Sequence, residues 1–144
     1  MRNRVEVMHG VNLDQLGRRD PQHYGSLNLD GLERLVERFA RELGLEARFF
    51  HTNHEGEFVE HLHRLAGLAD AVLLNPGAWT HYAWALRDAL ELTGLPAVEV
   101  HLSDVQAREP FRRVSVFEGV CVAKVSGKGV EGYRDALVAL KEAL

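Results

Sequence analysis

Apolar residues along this chain switch between two spacings. Val5, Val7 and Met8 run up to Gly10, and short apolar runs recur at 47–51, 71–74, 97–100 and 120–125. Several of these are apolar at consecutive positions, the pattern of strands buried on both faces in a parallel sheet that helices cover. Between them the spacing turns helical: Leu29, Leu32, Leu35, Val36, Phe39 and Leu43, then Phe58, Leu62, Leu65 and Leu68, then 84–92, then Tyr133, Leu137, Leu140 and Leu144. Asn28 and Asn53 stand where N-caps belong, Gly44 where the first long helix should stop, and Pro76 and Pro96 beside strand ends. The order predicts a doubly wound α/β sandwich, with a parallel sheet of about five strands and helices on both faces.

Composition limits what such a fold can be used for. The chain has 144 residues, 46% of them hydrophobic, which suits a single domain over 1–144 with one sheet-centred core. With 17 Lys+Arg against 21 Asp+Glu the formal charge is -4, so the basic excess of a nucleic-acid binder is missing. No apolar run approaches the roughly 20 residues that span a bilayer. The basic start passes directly into a strand pattern instead of an apolar leader, so a cytoplasmic protein with neither membrane nor nucleic-acid partners is expected. The single cysteine, Cys121, provides no internal disulfide and no thiolate metal site.

In a sheet of this kind ligands bind beyond the carboxyl ends of the strands, and the chemically distinctive residues fall there. After the first strand come Asn12, Arg18, Arg19, His23 and Tyr24; after the third, Asn75 and His81; after the fourth, His101, Ser103, Arg108, Arg112 and Arg113, just past Glu99. Asn, Tyr, His, Glu and several Arg suit a small, anionic, hydroxyl-rich ligand. An arginine near Tyr24 favours the phenolate, a strong base. Glu99, two residues before His101, shares its side of the strand and is placed to orient the imidazole. Neither phosphate-loop pattern fits residues 10–17, His54-Glu55 lacks the spacing of a zinc helix, and the acidic pair of a receiver domain is replaced by His9-Gly10. His61 and His63 read as solvated helix positions, and Gly127-Lys128-Gly129 as a turn before the last helix.

Residues 9–25 resemble the pattern N-G-P-N-L-N-L-L-G-x-R-x-P-x-x-Y-G of the type II 3-dehydroquinate dehydratase family, through Gly10, Asn12, Leu13, Leu16, Gly17, Arg19, Pro21, Tyr24 and Gly25. The segments 52–56 (T-N-H-E-G), 75–82 (N-P-G-A-W-T-H-Y), 86–89, 99–103 (E-V-H-L-S) and 108–112 follow in the family's order. The resemblance implies a flavodoxin-like subunit, trimer-based and assembled to a homododecamer, that converts 3-dehydroquinate to 3-dehydroshikimate without metal or cofactor. Carried over by motif, Tyr24 would be the base, Arg19 would hold its phenolate, Asn12 would hold a water for the enolate, and His101 would be the acid with Glu99 as its partner. Asn75, His81, Leu102, Ser103 and Arg112 would bind substrate, with Arg108 in support. Asp88 would reach a neighbouring subunit's site from one helix face shared with His81, and residues 17–25 would form a lid.

The chain departs from the family pattern at His9, Val11, Asp14, Gln15 and Asp104, and a Ser-Pro pair gives way to Glu118-Gly119. A carboxylate at 104 beside the substrate's own carboxylate would weaken binding. On these departures rests a second expectation, a diverged relative of the same fold that binds a small carboxylate or regulates.

Overall fold

The computed structural model describes residues 2–24 and 26–144. Gly25, the far end of the expected lid, and Met1 lie outside them. Five strands, β1 (Arg4–His9), β2 (Glu46–His51), β3 (Ala71–Asn75), β4 (Ala97–Val100) and β5 (Ala123–Val125), pair in parallel in the order β2-β1-β3-β4-β5. The helices are α1 (Pro21–Tyr24), α2 (Leu29–Glu42), α3 (Glu55–His63), α4 (Trp84–Thr93) and α5 (Glu131–Ala143). Every residue of β3 and β4 is buried, as their mostly apolar runs predict and with Asn75 and Glu99 as the polar exceptions, whereas β2 alternates in exposure because it lies at the edge.

Alternation within the strands divides the core in two. Val5, Val7 and Leu73 face α2 and α5, against Val36, Phe39, Leu137 and Leu140. Met8, Val72 and Leu74 face α3 and α4, against Phe58, Leu62, Leu86 and Leu90. Each of these fully buried side chains contributes about 1.5–3 kcal/mol of hydrophobic free energy, so the sheet is anchored on both faces. The chain leaves β1 toward β2 on one side, and the sheet continues through β3 on the other. The crevice therefore opens beyond the carboxyl ends of β1 and β3, where the strand order reverses.

That crevice depends on two glycines. A Cβ at Gly10 would lie 2.3 Å from the Pro76 carbonyl oxygen, and one at Gly77, whose φ is 65°, would lie 2.6 Å from that of Val11. The loops after β1 and β3 touch backbone to backbone at these points.

Several local expectations need correction. Asn28 caps α2, with Oδ1 accepting from the Gly31 N–H at 2.8 Å, but α3 is preceded by His54 without a side-chain cap. The Asn53 carboxamide is turned instead toward the loop after β1. β5 is shorter than 120–125 because Gly119 (φ 89°) turns the chain and Arg87 takes the carbonyls of Val116 and Glu118, both at 2.7 Å. His61 is not solvated: its ring stacks on Phe50 with centroids 3.7 Å apart, and Nε2 lies 2.7 Å from the buried carboxylate of Glu6. His81 and Asp88 do not share a helix, since His81 ends a 3-10 turn (Gly77–His81) and α4 starts at Trp84.

Candidate active site

A cavity of about 150 Å³ occupies the β1/β3 crevice and is lined by Asn12, Arg19, Tyr24, Asn75, His81, His101, Leu102, Ser103, Arg108 and Arg112, among others. The sequence scatters these residues over a hundred positions, and the parallel sheet gathers them because each follows a strand end.

Asn12 sits directly beyond β1 with φ 69°, a left-handed conformation that costs an ordinary residue about 1–2 kcal/mol and that asparagine tolerates better than most. Its N–H donates to Asn53 Oδ1 at 2.8 Å, a hydrogen bond that offsets about 1 kcal/mol of that cost. The short helix α1 then delivers Tyr24. Arg19 Nη2 donates to the phenol oxygen at 2.8 Å and Arg108 Nη1 at 2.5 Å, from opposite ends of the sequence. The Arg19 guanidinium also lies over the ring, 3.8 Å from its centroid. Arg108 Nε is buried without a hydrogen-bond partner among the described residues. A buried donor in that state costs about 1–3 kcal/mol until an acceptor reaches it, which suits an anionic occupant.

Beyond β4, His101 Nε2 lies 2.5 Å from Glu99 Oε2, leaving Nδ1 as the ring nitrogen available to the cavity. Glu99 is almost wholly enclosed, with 2% of its side chain exposed, and it also accepts from Ser115 Oγ at 2.6 Å and from the Thr80 hydroxyl. Burial pushes its carboxyl upward, but the hydrogen bonds and charge of His101 together with the two hydroxyls outweigh burial and hold it below the ordinary carboxyl value. His81 is held below the ordinary imidazole value, first by burial and also by the nearby His101 and Arg112, against the Val114 carbonyl 2.7 Å from Nδ1. His81 therefore enters the cavity as a neutral ring near pH 7.

The carbonyls of Leu102 and Ser103 accept from the N–H groups of Gly129 and Gly127, so the turn before α5 holds this segment from behind. Their own N–H groups take no partner among the described residues. Asn75 is held by its Oδ1 accepting from Gly77 and its Nδ2 donating to Tyr133, whose phenol burial pushes up to about 12. Arg112 reaches the cavity wall while its Nε donates to Glu109 at 3.0 Å.

Two sequence expectations fall outside the cavity. Asp88 is exposed on α4 and does not line it. Asp104 does not line it either: its Oδ1 accepts from the Gln106 N–H and its Cβ faces Gly127. The charge repulsion expected of Asp104 thus loses its geometric basis, and with it one support for a purely binding relative. Sequence reasoning missed Thr80, Ser115 and Asn53 as supports of the site. The first two lie in a 3-10 turn and an irregular segment and carry no sequence signal, whereas Asn53 gave only a capping signal. Among the described residues no group of three or more His, Cys, Asp or Glu is placed to hold a metal ion, and no helix is long and apolar enough to cross a membrane.

A family model for dehydroquinase class II matches residues 3–141. The 3-dehydroquinate dehydratase of Caldicellulosiruptor bescii is 44% identical over 142 residues, 98% of each chain. That of Thermotoga maritima is 45% identical over 141 residues, 98% of this chain and 96% of its own. The crystal structure of type II dehydroquinase from Propionibacterium acnes superposes with a TM-score of 0.92 at 38% identity, covering 99% of this chain and 98% of that one.

Proposed function

The chain belongs to the class II dehydroquinase family, whose members are hydro-lyases, and from that premise we propose that it eliminates water from 3-dehydroquinate through an enolate, with Tyr24 as base and His101 as acid. The observation that carries this reading is the Tyr24 oxygen, which receives two guanidinium hydrogen bonds in the same cavity as a glutamate-bound histidine.

Removing a proton next to a ketone needs a strong base and a stabilised enolate, and a departing hydroxide needs an acid. Arg19 and Arg108 both donate to one phenol oxygen, hold it at the base's position and supply the donors a phenolate needs as it takes the proton beside the carbonyl. The electron pair moves onto the ketone oxygen, where a water held by Asn12 stabilises the enolate. As the enolate collapses, His101 delivers a proton to the leaving hydroxyl, and a water molecule and 3-dehydroshikimate result. Glu99 keeps the imidazole oriented through its contact with Nε2. The free N–H groups of Leu102 and Ser103, with Ser103 Oγ, suit the substrate carboxylate; Asn75, His81 and Arg112 suit its ring hydroxyls. No step calls for a metal or organic cofactor. The test is the ultraviolet absorbance of the conjugated enone product: purified protein with 3-dehydroquinate should generate it, and its absence at high enzyme concentration would sink the reading.

A trimer-based assembly, extended to a dodecamer, belongs to the same reading. Asp88 is exposed and does not line its own subunit's cavity, which leaves it to complete a neighbour's. Light scattering should return a mass that is a multiple of three subunits, and a fully active monomer would remove Asp88 from the site.

A further inference from the structure

Asp14 stands where the family pattern has asparagine, and its surroundings give the change a purpose. The Asn12 N–H donates to Asn53 Oδ1 at 2.8 Å. A backbone N–H only donates, so the Asn53 atom that meets it is the oxygen, and the amide nitrogen must face the other way. There it donates to Asp14 Oδ2 at 3.1 Å. A carboxylate only accepts, so the Asn53 carboxamide is held in one of its two orientations from both ends. The second Asp14 oxygen lies 3.7 Å from Nε2 of His51, the last residue of β2 and two positions before Asn53. Both oxygens of Asp14 thus face the chain segment that holds Asn12. An asparagine at 14 offers a donor as well as an acceptor and imposes no polarity on Asn53.

We propose that Asp14 is a positioning residue for the elimination, acting through Asn53 to hold Asn12 in the left-handed conformation that keeps it in the cavity wall. This rests on the reading of Asn12 as the residue that supports the enolate. A group acting only through Asn12 has nothing left to act on once the Asn12 side chain is gone, and this separates positioning from general support of the loop.

The experiment is a double-mutant cycle on the purified enzyme: Asp14→Ala, Asn12→Ala and the pair, with Asp14→Asn as the conservative variant, each measured for kcat, KM and melting temperature. Asp14→Ala should lower kcat about tenfold, by analogy with the lower end for partners that orient metal-ligating side chains, with KM changed less than about twofold. In the Asn12→Ala background the same change should cost less than about twofold. Asp14→Asn, which keeps an acceptor, should recover part of the loss. An equal loss in both backgrounds, or a loss that follows melting temperature instead of Asn12, overturns the proposal. If Asn12→Ala is inactive while Asp14→Ala is not impaired, this inference alone falls. If Asn12→Ala keeps full kcat, the enolate role of Asn12 falls and takes this inference with it.

Discussion

Replacing Tyr24 with phenylalanine should lower kcat by about a thousandfold, within the range a positioned general base contributes, while KM changes less than about threefold. The substitution removes one oxygen atom and leaves the ring. The Arg19 guanidinium sits 3.8 Å from the ring centroid and that of Arg108 5.2 Å, and both contacts survive in phenylalanine. Two guanidinium donors lose their shared acceptor, but Arg19 remains partly open to solvent, so the melting temperature should shift by only a few degrees. Steady-state kinetics on a folded variant decide the matter. Retention of a tenth of the activity would take the proton-abstracting role away from Tyr24. The companion substitution Arg108→Ala removes one of the two donors while leaving the phenol, and an intermediate loss there would show that both donors serve the base.

Much of this site is legible in the sequence, for a reason specific to the fold. β3 announces itself as a run of consecutive apolar residues, Ala71 to Leu74, and β4 as a short, mostly apolar run broken only by Glu99, and such strands occur where helices cover both sides. Once the sheet is parallel, all strand ends that carry chemistry lie along one edge, so Asn12, Asn75 and His101 follow from position alone. Supports that come from the side were not legible. Thr80 lies in a 3-10 turn and Ser115 in the irregular segment before β5, and only the packing of the two under β4 brings their hydroxyls to Glu99. His61 looked like a surface residue because its helix is short and polar, yet it covers the buried carboxylate of Glu6 on the neighbouring strand. Asp104 follows the substrate-binding segment directly in sequence, but its carboxylate caps the next turn and leaves the cavity. Proximity along the chain misleads wherever a turn reverses the side-chain direction, and a lone carboxylate gives no sign of that reversal.

Glu99→Gln should be the second large kinetic lesion and should also carry a pH signature. The replacement conserves shape, but a carboxamide has one accepting oxygen where the carboxylate has two, and three donors converge there: His101 Nε2, Ser115 Oγ and the Thr80 hydroxyl. The charge-assisted contact with His101 Nε2 is lost as well. Replacement of the carboxylate behind a catalytic histidine by its amide costs about 10⁴ in kcat in the serine-protease triad. Glu99 supports an acid here, not a base for a bound nucleophile, so a loss of about 10²–10³ is expected. KM should barely move because Glu99 does not line the cavity. The carboxyl of Glu99 lies below its ordinary value in the folded protein, so its ionised form stabilises the fold above the unfolded-state value of about 4.3, and that contribution disappears as pH falls through the lower folded-state value. The melting temperature of the wild type should accordingly exceed that of Glu99→Gln near pH 7, and the gap should close as the solution is taken below the ordinary carboxyl range. A gap that stays constant with pH would mean the carboxyl is not charged in the folded protein, and a kcat within threefold of wild type would mean His101 does not depend on it.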